Sequence, residues 1–371
     1  MVNVRLILWN LLVIATILVS LELILRVVGY PYSRHMVSHP IYHHAMRPNT
    51  VGRVASLEYS HEHTVNAVGM RDNETDGHTL LLGDSFIEGV GVGDRDTVDS
   101  AMGWGYLNAG VSSHSPIIHY LRYKEERAKF RAMGVCHVVL FLDWGDFQDD
   151  QNYEKKAIWK DGKVVACPGP LVQEKRTLAI VDYLNRERPH IKVKRYVFGR
   201  MAKWVLGPNR YVAWKRSLGM VDKHTVDKFD PASDRYMILR EGGLEAAGEQ
   251  LARTKGYILA LRDEVEADGL TFTLVLYPLG VSVSGDEWDE GREFWGFEKG
   301  QIYGLDAHIK VTKWSIGQGI LTWSVTPDFY YYHLDNPHVR LFYREDGHMT
   351  KEGYCLMGRS VKRALSERYT T

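Results

Sequence analysis

Cysteine is scarce in this chain, and neither sign of charge is in excess. The 371 residues include three cysteines, Cys136, Cys167 and Cys355, and no C-x-x-C pair, which argues against a disulfide framework and against a cysteine zinc site. Lys plus Arg and Asp plus Glu each number 46, so the formal net charge is zero and overall charge does not attract nucleic acid. Tandem repeats and low-complexity tracts are also absent. The 45% hydrophobic content is enough for a globular protein with a sizeable core.

A long apolar run stands near the N-terminus. Residues 6–25 read LILWNLLVIATILVSLELIL, and about 20 helical residues span the roughly 30 Å hydrocarbon layer of a membrane. The run predicts an uncleaved transmembrane anchor over residues 1–28. A cleavable signal peptide is the alternative, although no A-x-A-like cleavage site follows the run. The few flanking charges do not decide the orientation.

The next segment, residues 29–75, has little hydrophobic periodicity but contains six histidines. They are His35, His39, His43, His44, His61 and His63. Such spacing suggests a metal site, but no carboxylate or cysteine completes a ligand set. We therefore interpret the segment as a polar juxtamembrane connector.

Apolar runs alternate with helical patterns in the remaining residues, 76–371. The strand candidates are 79–82, 136–142 and 271–277, with 339–343 as a possible fourth. Helical patterns cover 117–132, 244–266 and about 351–366, the last with Thr350 as its N-cap. Buried strands that alternate with helices predict an α/β sandwich around a mostly parallel sheet.

A serine follows directly on the first predicted strand, within Gly83-Asp84-Ser85-Phe86. A serine between a strand and a helix lies at the carboxyl edge of the sheet, where open α/β folds place their sites. The helix N-terminus would direct backbone N–H groups at an oxyanion formed by attack on a carbonyl. Taken alone, the tetrapeptide is better explained as a turn whose serine has no catalytic role.

Two further blocks contain residues suited to the same chemistry. Asp346 and His348 stand two apart, so in extended chain both side chains point the same way. His348 would take the proton from Ser85 while Asp346 orients the imidazole. Gly110, in NAGVS at 108–112, permits close approach of its amide, a second oxyanion donor beside the amide of Ser85. Ordinary turns are the alternative for each block.

These blocks, in this order, resemble the SGNH hydrolase superfamily, also called GDSL-type esterases. The matching stretches are GDSF at 83–86, NAGVS at 108–112 and DGHMTKEG at 346–353. The resemblance extends to the membrane-anchored bacterial branch through the Glu22 to Arg26 spacing and VNAVGMRD at 65–72. It implies a flavodoxin-like three-layer α/β/α sandwich, an acyl-serine intermediate, no metal and no other cofactor. It also implies a catalytic domain outside the cytoplasmic membrane, where members often act on acylated polysaccharides.

One departure from the family pattern concerns the oxyanion hole. Gly145, in LDWGDF at 142–147, stands where the family has an Asn that donates to the oxyanion. Loss of one such donor typically costs about 10²–10³ in rate. Gln148, Asn152 and the Trp144 indole are candidate substitutes.

A second departure concerns the acid. Many members space the pair as D-x-x-H, which would select Glu345, whereas the anchored branch has D-x-H, which selects Asp346. We favour Asp346. Asp84 and Asp146 are interpreted as structural hydrogen-bonding residues beside the site.

A basic insert is expected at about 151–240. Twelve Lys and Arg residues face three acids between 186 and 228, a local charge of +9, with five aromatic residues interleaved. Such a composition suits an anionic lipid surface or a cleft wall for an anionic glycan. A solvated insertion with its own aromatic core is the alternative. Nucleic acid is disfavoured as a partner by the anchor and the neutral total.

The sequence as a whole predicts a single-pass protein of the cytoplasmic membrane that is a serine esterase or O-acyltransferase. Ser85, Asp346 and His348 are the predicted catalytic residues, and the amides of Ser85 and Gly110 are the predicted oxyanion donors. The expected partners are the membrane and an acylated glycan or small ester. A non-catalytic glycan-binding or assembly protein with the same fold is the alternative, and the substrate and oligomeric state are left open.

Overall fold

The computed structural model describes residues 35–56, 58–72, 74–169 and 234–367, with nine further residues between 9 and 20. The charged and aromatic cluster at 186–228, on which the predicted basic insert rests, lies outside the described residues. All nine residues near the N-terminus are helical. Six of them carry exposed large apolar side chains: Trp9, Leu12, Val13, Ile14, Ile17 and Val19.

The predicted anchor at 6–25 lies for the most part outside the described residues. Within the part of the chain that the structure covers, no helix has both the length and the hydropathy needed to cross a membrane. The anchor stays a prediction.

Eleven strands form in the described ranges. They are β1 Met36–Ser38, β2 His44–Met46, β3 Thr50–Ala55, β4 Ser60–Val65, β5 Thr79–Leu82, β6 Tyr106–Asn108, β7 His137–Leu142, β8 Ile158–Lys160, β9 Lys163–Ala166, β10 Thr271–Leu276 and β11 Leu321–Ser324. β1 pairs with β2, β3 with β4 and β8 with β9, each pair antiparallel.

The helices of the same ranges are eleven α-helices and one 3-10 helix, Met237–Leu239. They are α1 Ser85–Glu88, α2 Val98–Met102, α3 Pro116–Ala132, α4 Asp146–Glu154, α5 Gly243–Ala246, α6 Gly248–Ala267, α7 Gly280–Val283, α8 Gly291–Phe294, α9 Leu305–Gly317, α10 Thr326–Asp335 and α11 Lys351–Glu367. The amide of Gly353 donates to Thr350 Oγ1 at 3.4 Å, as expected of an N-cap.

The remaining five strands form one parallel sheet in the order β11-β10-β7-β5-β6. Counted along the chain, this is the order 2-1-3-4-5 of flavodoxin-like folds. Every residue of β5 and β7 is buried, as in a parallel sheet covered on both faces. The prediction of an α/β sandwich around a parallel sheet is confirmed.

The strand order reverses between β5 and β7, which makes a crevice at the carboxyl ends of these two strands. Parallel crossovers are right-handed, so the helices that lead away from this point in opposite directions cover opposite faces. On one side α2 packs against α11, and on the other α6 packs against α3 and α4. Ser85 follows β5 and Gly145 follows β7, so both lie at this crevice.

The possible strand at 339–343 does not form. The amides of Leu341 and Phe342 donate instead to the buried carboxylate of Glu287, at 3.0 and 3.1 Å. A side chain therefore satisfies the amides that a neighbouring strand would have bound. Two short strands of the parallel sheet, β6 and β11, were not predicted, because three or four residues leave little periodicity to read.

The hairpin β1–β2 belongs to the histidine-rich segment 29–75, and it packs against the sheet domain. Tyr42, between β1 and β2, is buried and donates from its hydroxyl to Glu126 Oε1 of α3 at 3.2 Å. Hairpin β3–β4 follows it directly along the chain, and the loop between β3 and β4 reaches the site described next.

Candidate active site

Ser85 is the first residue of α1, and Asp84 caps that helix. The Asp84 side chain accepts from the amide of Phe86 at 2.9 Å and from the hydroxyl of Tyr277 at 3.1 Å. Because first-turn amides have no acceptor inside a helix, the amide of Ser85 is directed outward from the helix start. The predicted strand–serine–helix arrangement is thus present.

The structure brings together the three predicted side chains. Ser85 Oγ lies 2.8 Å from His348 Nε2, and His348 Nδ1 contacts Asp346 Oδ1. Glu345, the alternative acid, is exposed. Its backbone amide donates to the carboxylate of Glu58. The geometry therefore agrees with the D-x-H spacing.

Gly347 allows the turn between the acid and the base. Its φ is +87°, in the left-handed region that favours glycine. A Cβ at this position would also lie 2.7 to 2.9 Å from atoms of the Trp288 indole. Both the backbone conformation and the packing on Trp288 thus require glycine in Asp346-Gly347-His348.

Two residues that the sequence did not mark hold the acid in place. The hydroxyl of Tyr59 donates to Asp346 Oδ2 at 3.1 Å. The carboxylate of Glu58 accepts from the amides of Asp346 at 2.8 Å and Arg344 at 2.7 Å. Glu58 and Tyr59 lie between β3 and β4, 287 positions from Asp346 in the case of Tyr59, so no local pattern could link them.

The charges around His348 favour its protonated form. Burial by itself would lower the pKa of His348, but the contact with Asp346 and the negative charges of Asp84 and Asp143 raise that pKa above its usual 6.5. Burial likewise opposes ionisation of Asp346, and its bonds with His348 and Tyr59 outweigh this and lower the pKa of Asp346. The pair thus has the character of an imidazole made more basic by a fixed carboxylate.

The predicted oxyanion donor Gly110 is already engaged. Its amide donates to Asn108 Oδ1 at 3.0 Å, in the turn that an Asn side chain makes with the residue two positions on. The Asn108 amide group in turn donates to Ile87 O at 2.7 Å, so the side chain is anchored to α1. The prediction of Gly110 as a donor does not agree with this hydrogen bond.

The block VNAVGMRD at 65–72 secures the helix that carries Ser85. Arg71 is buried and donates to the carbonyl of Glu88 at 2.9 Å, at the C-terminal end of α1. Asp72 Oδ2 accepts from the amide of Asn108 at 2.8 Å. These contacts give the block a structural role that sequence reasoning had left undefined.

Arg235 lies against Gly145, the position at which the resemblance implied a missing Asn. A Cβ at Gly145 would overlap the Arg235 guanidinium, so only glycine leaves room for it. One guanidinium nitrogen, Nη2, donates to Asp149 at 2.6 Å, whereas the buried Nε makes no hydrogen bond in the structure. Among the described residues, Arg235 thus has a buried N–H without an acceptor, and it lies beside Gly145.

Two of the three candidate substitutes for the missing oxyanion donor already take part in hydrogen bonds within the protein. The Trp144 indole donates to Tyr277 O at 2.8 Å, and it is fully buried. Asn152 is exposed and accepts from Lys155. Gln148 is half-buried in α4.

Arg235 also balances a group of buried carboxylates. Burial and the charge of Asp143 raise the pKa of Asp84 to about 7. Burial and the same neighbour raise the pKa of Asp146 as well, and Asp146 Oδ2 accepts from the amide of Asp143 at 3.1 Å. The Arg235 guanidinium lies 3.8 Å from Asp143 and provides the opposite charge. Asp84 and Asp146 thus both make hydrogen bonds beside the site, and their structural role stays a prediction.

Comparisons with known proteins were made for sequence and for structure. No protein-family model and no curated protein matches the chain. Similar solved structures include a protein assigned to the lipolytic G-D-S-L family from Desulfitobacterium hafniense DCB-2, with 14% identity over 78% of this chain and 99% of that one, at a TM-score of 0.35. An acetyl xylan esterase, AlAXEase, has 11% identity over 77% and 99%, at 0.36. A G-D-S-L family member from Veillonella parvula DSM 2008 has 10% identity over 78% and 98%, at 0.32.

Two of these three structures carry the G-D-S-L name. Their TM-scores of 0.32 to 0.36 leave the function to be argued from the site itself.

Proposed function

We propose that this protein is a serine esterase or O-acyltransferase that acts on a small acyl ester through an acyl-serine intermediate. The observation that carries the proposal is the continuous contact from Ser85 Oγ through His348 to Asp346. A nucleophile in hydrogen-bond reach of a base that is itself oriented by an acid is the arrangement used for acyl transfer.

The proposed reaction has two halves. Ser85 Oγ attacks the ester carbonyl while its proton passes to His348 Nε2, and the oxyanion forms on the carbonyl oxygen. Collapse breaks the bond to the leaving alcohol, which takes the proton back from His348, and an acyl ester of Ser85 remains. Water then completes hydrolysis, or a sugar hydroxyl completes transfer, with His348 again as the base.

Arg235 is proposed as an oxyanion donor in place of the family's Asn. Its buried Nε–H lies beside Gly145 and has no acceptor among the described residues, and its positive charge would favour a developing oxyanion. The Ser85 amide at the start of α1 is the second proposed donor. This pair replaces the predicted pair of Ser85 and Gly110.

A pair of exchanges at 145 and 235 tests this role. Arg235→Ala should lower kcat by about 10²–10³ with little change in KM, because a donor used only in the transition state is lost. Gly145→Asn alone should also be impaired, because its side chain overlaps the guanidinium. The double variant should recover activity over either single one, because the Asn amide then takes the vacated place. Steady-state kinetics on p-nitrophenyl acetate measures all three.

The control is Arg253→Ala, an exposed arginine paired with Glu154 and Glu249, which should leave kcat unchanged. Since Arg235 also balances buried acids, circular dichroism has to show that each variant folds. Arg235→Lys keeps the charge without the Nε–H and should still lose rate. Full activity in a folded Arg235→Ala variant would exclude the donor role.

The substrate class is proposed to be an acylated cell-surface or exported polysaccharide, on the strength of the family resemblance. The first test is stoichiometric reaction of the full chain with a fluorophosphonate probe, together with turnover of p-nitrophenyl acetate. A folded chain that shows neither would be the non-catalytic glycan-binding or assembly protein. Release of acetate against transfer to an added oligosaccharide separates esterase from transferase.

We also propose that residues 1–28 anchor the protein in the cytoplasmic membrane with the catalytic domain outside. The exposed apolar side chains between 9 and 19 support this proposal. A reporter fused after Thr371 that is active only outside the cytoplasm should be active, and one that is active only inside should be silent. The reverse result would overturn the orientation, and a chain without residues 1–28 should leave the membrane fraction.

A further inference from the structure

A buried carboxylate faces two imidazoles behind the serine helix. Glu88, the last residue of α1, is 1% exposed. Its Oε1 lies 3.2 Å from His63 Nε2 in β4 and 3.6 Å from His35 Nε2, just before β1. One ligand atom from each of the three side chains lies within 4.8 Å of the others.

Two of the three separations are close to those around a small tetrahedral metal ion. Zinc binds imidazole nitrogen and carboxylate oxygen at about 2.0–2.2 Å, which places neighbouring ligand atoms about 3.3 Å apart in a tetrahedron. The two separations from Glu88 Oε1, 3.2 and 3.6 Å, lie on either side of that value. Two imidazoles with one carboxylate also form a ligand set that binds divalent transition metals.

The carboxylate is oriented from its other side. Glu88 Oε2 accepts from both the amide and the hydroxyl of Ser112, each at 2.6 Å. This leaves Oε1 directed at the two imidazoles. Metal-binding carboxylates are commonly held in this way by hydrogen bonds to the oxygen that does not bind the ion.

The imidazole of His63 lacks the partners that a buried polar ring needs. The residue is 0% exposed, its Nδ1 makes no hydrogen bond among the described residues, and its Nε2 contacts Glu88 Oε1 at 3.2 Å without hydrogen-bond alignment. Buried polar groups without a partner cost free energy, and a bound ion would remove this cost. His35 is 23% exposed at its side chain, which gives an ion a route from solvent.

The charge of the nearby cation Arg71 is partly offset by a carboxylate. Arg71 donates to the backbone carbonyl of Glu88 and lies near the cluster. Its guanidinium is paired with Asp94 at 3.0 Å, which offsets its charge. The carboxylate of Glu88 is therefore available to a metal ion.

We propose that His35, His63 and Glu88 bind one divalent transition metal ion, Zn²⁺ in the simplest case, as a structural clamp. The ion would join both N-terminal hairpins to α1. The ligand in α1 is Glu88, three residues after Ser85. The loop of hairpin β3–β4 also carries Glu58 and Tyr59, which hold the acid Asp346. These ligands are positioning residues for the site and do not contact reacting atoms.

Zinc binding to the full chain tests the proposal directly. The detergent-purified protein, freed of metal by chelation, is titrated with ZnCl₂ by calorimetry. We expect one Zn²⁺ per chain with a Kd below about 1 μM, as for structural sites. Unfolding should shift to higher temperature in proportion to ln(1 + [Zn²⁺]/Kd). Co²⁺ in place of Zn²⁺ should give the visible absorption of a low-symmetry nitrogen and oxygen site.

Variants separate this site from other histidines. His63→Ala and Glu88→Gln should each weaken Zn²⁺ binding by about 100-fold or more, and Ser112→Ala by about 10-fold through the orienting bond. His338→Ala, an exposed histidine away from the cluster, should bind Zn²⁺ as the unaltered chain does. The Co²⁺ spectrum of the unaltered chain tests the site even where a variant does not fold.

Two results would overturn the clamp. One is a folded, metal-free chain that binds Zn²⁺ no better than about 1 mM, which would make the cluster an ion pair of Glu88 with protonated imidazole. The other is tight binding that His63→Ala leaves unchanged. Either result leaves the proposed serine chemistry intact, since that is tested separately by fluorophosphonate labelling.

Discussion

Replacement of Ser85 by Ala is expected to abolish covalent labelling by a fluorophosphonate and to lower ester turnover by about 10⁴-fold or more. The reason is that Ser85 Oγ is the only group of the relay placed to form the acyl-enzyme bond, 2.8 Å from the nitrogen that takes its proton. Intact-mass spectrometry after labelling and initial rates on p-nitrophenyl acetate measure the two effects.

A matched control exists on the last helix. Ser366→Ala removes an exposed hydroxyl that donates to Lys362 O in α11, and it should change neither labelling nor rate. Retention of labelling in Ser85→Ala would show that another nucleophile reacts and would contradict the proposed mechanism. Because the exchange removes one half-buried hydroxyl, its effect on folding should be small.

Replacement of Asp346 by Asn is expected to lower kcat by about 10⁴-fold, the effect known when the orienting acid of a serine triad becomes an amide. With its oxygen held by the Tyr59 hydroxyl, the Asn side chain presents its N–H to His348 Nδ1, so the ring takes the wrong tautomer. Glu345→Gln is the control, and it should retain nearly full activity because Glu345 is exposed and its carboxylate takes no part in the relay. Equal losses in both variants would contradict the assignment of the acid.

The pH dependence gives a second measurement of the same pair. His348 accepts a proton only when neutral, so kcat/KM should rise with pH, with a midpoint above the usual histidine pKa of about 6.5 because Asp346, Asp84 and Asp143 raise the pKa of His348. In Asp346→Asn the residual activity should show a lower midpoint, since the largest favourable charge is gone. An unchanged midpoint would mean that the rise of kcat/KM with pH reports the titration of another group.

Short-range features of the site could be predicted from sequence. Residues 79–82 do form β5, as predicted. The extended chain expected from Asp346 to His348 does not form, because Gly347 adopts a left-handed backbone conformation, although the two side chains still meet. Strand, turn and cap preferences act within a few residues, so such stretches carry enough information on their own. The choice of Asp346 over Glu345 came from the D-x-H spacing that the resemblance to the anchored branch implies.

Long-range features could not be predicted in this way. Gly145 reads as the loss of a donor, and only the fold shows that Arg235, 90 positions later in the chain, fills the space that it leaves. Glu58 and Tyr59 give no signal in the sequence, because their role depends on the contact of their hairpin with Asp346, near the other end of the chain.

The histidines illustrate the physical reason. By itself the sequence determined that His35 and His63 lie in a histidine-rich segment without a completing carboxylate. Only the tertiary structure brought Glu88 to them, because the strand pairing of β3 and β4 and the packing of that hairpin on α1 decide which side chains meet. Local conformation depends on neighbours in the chain, whereas the composition of a site depends on which elements the core packs together.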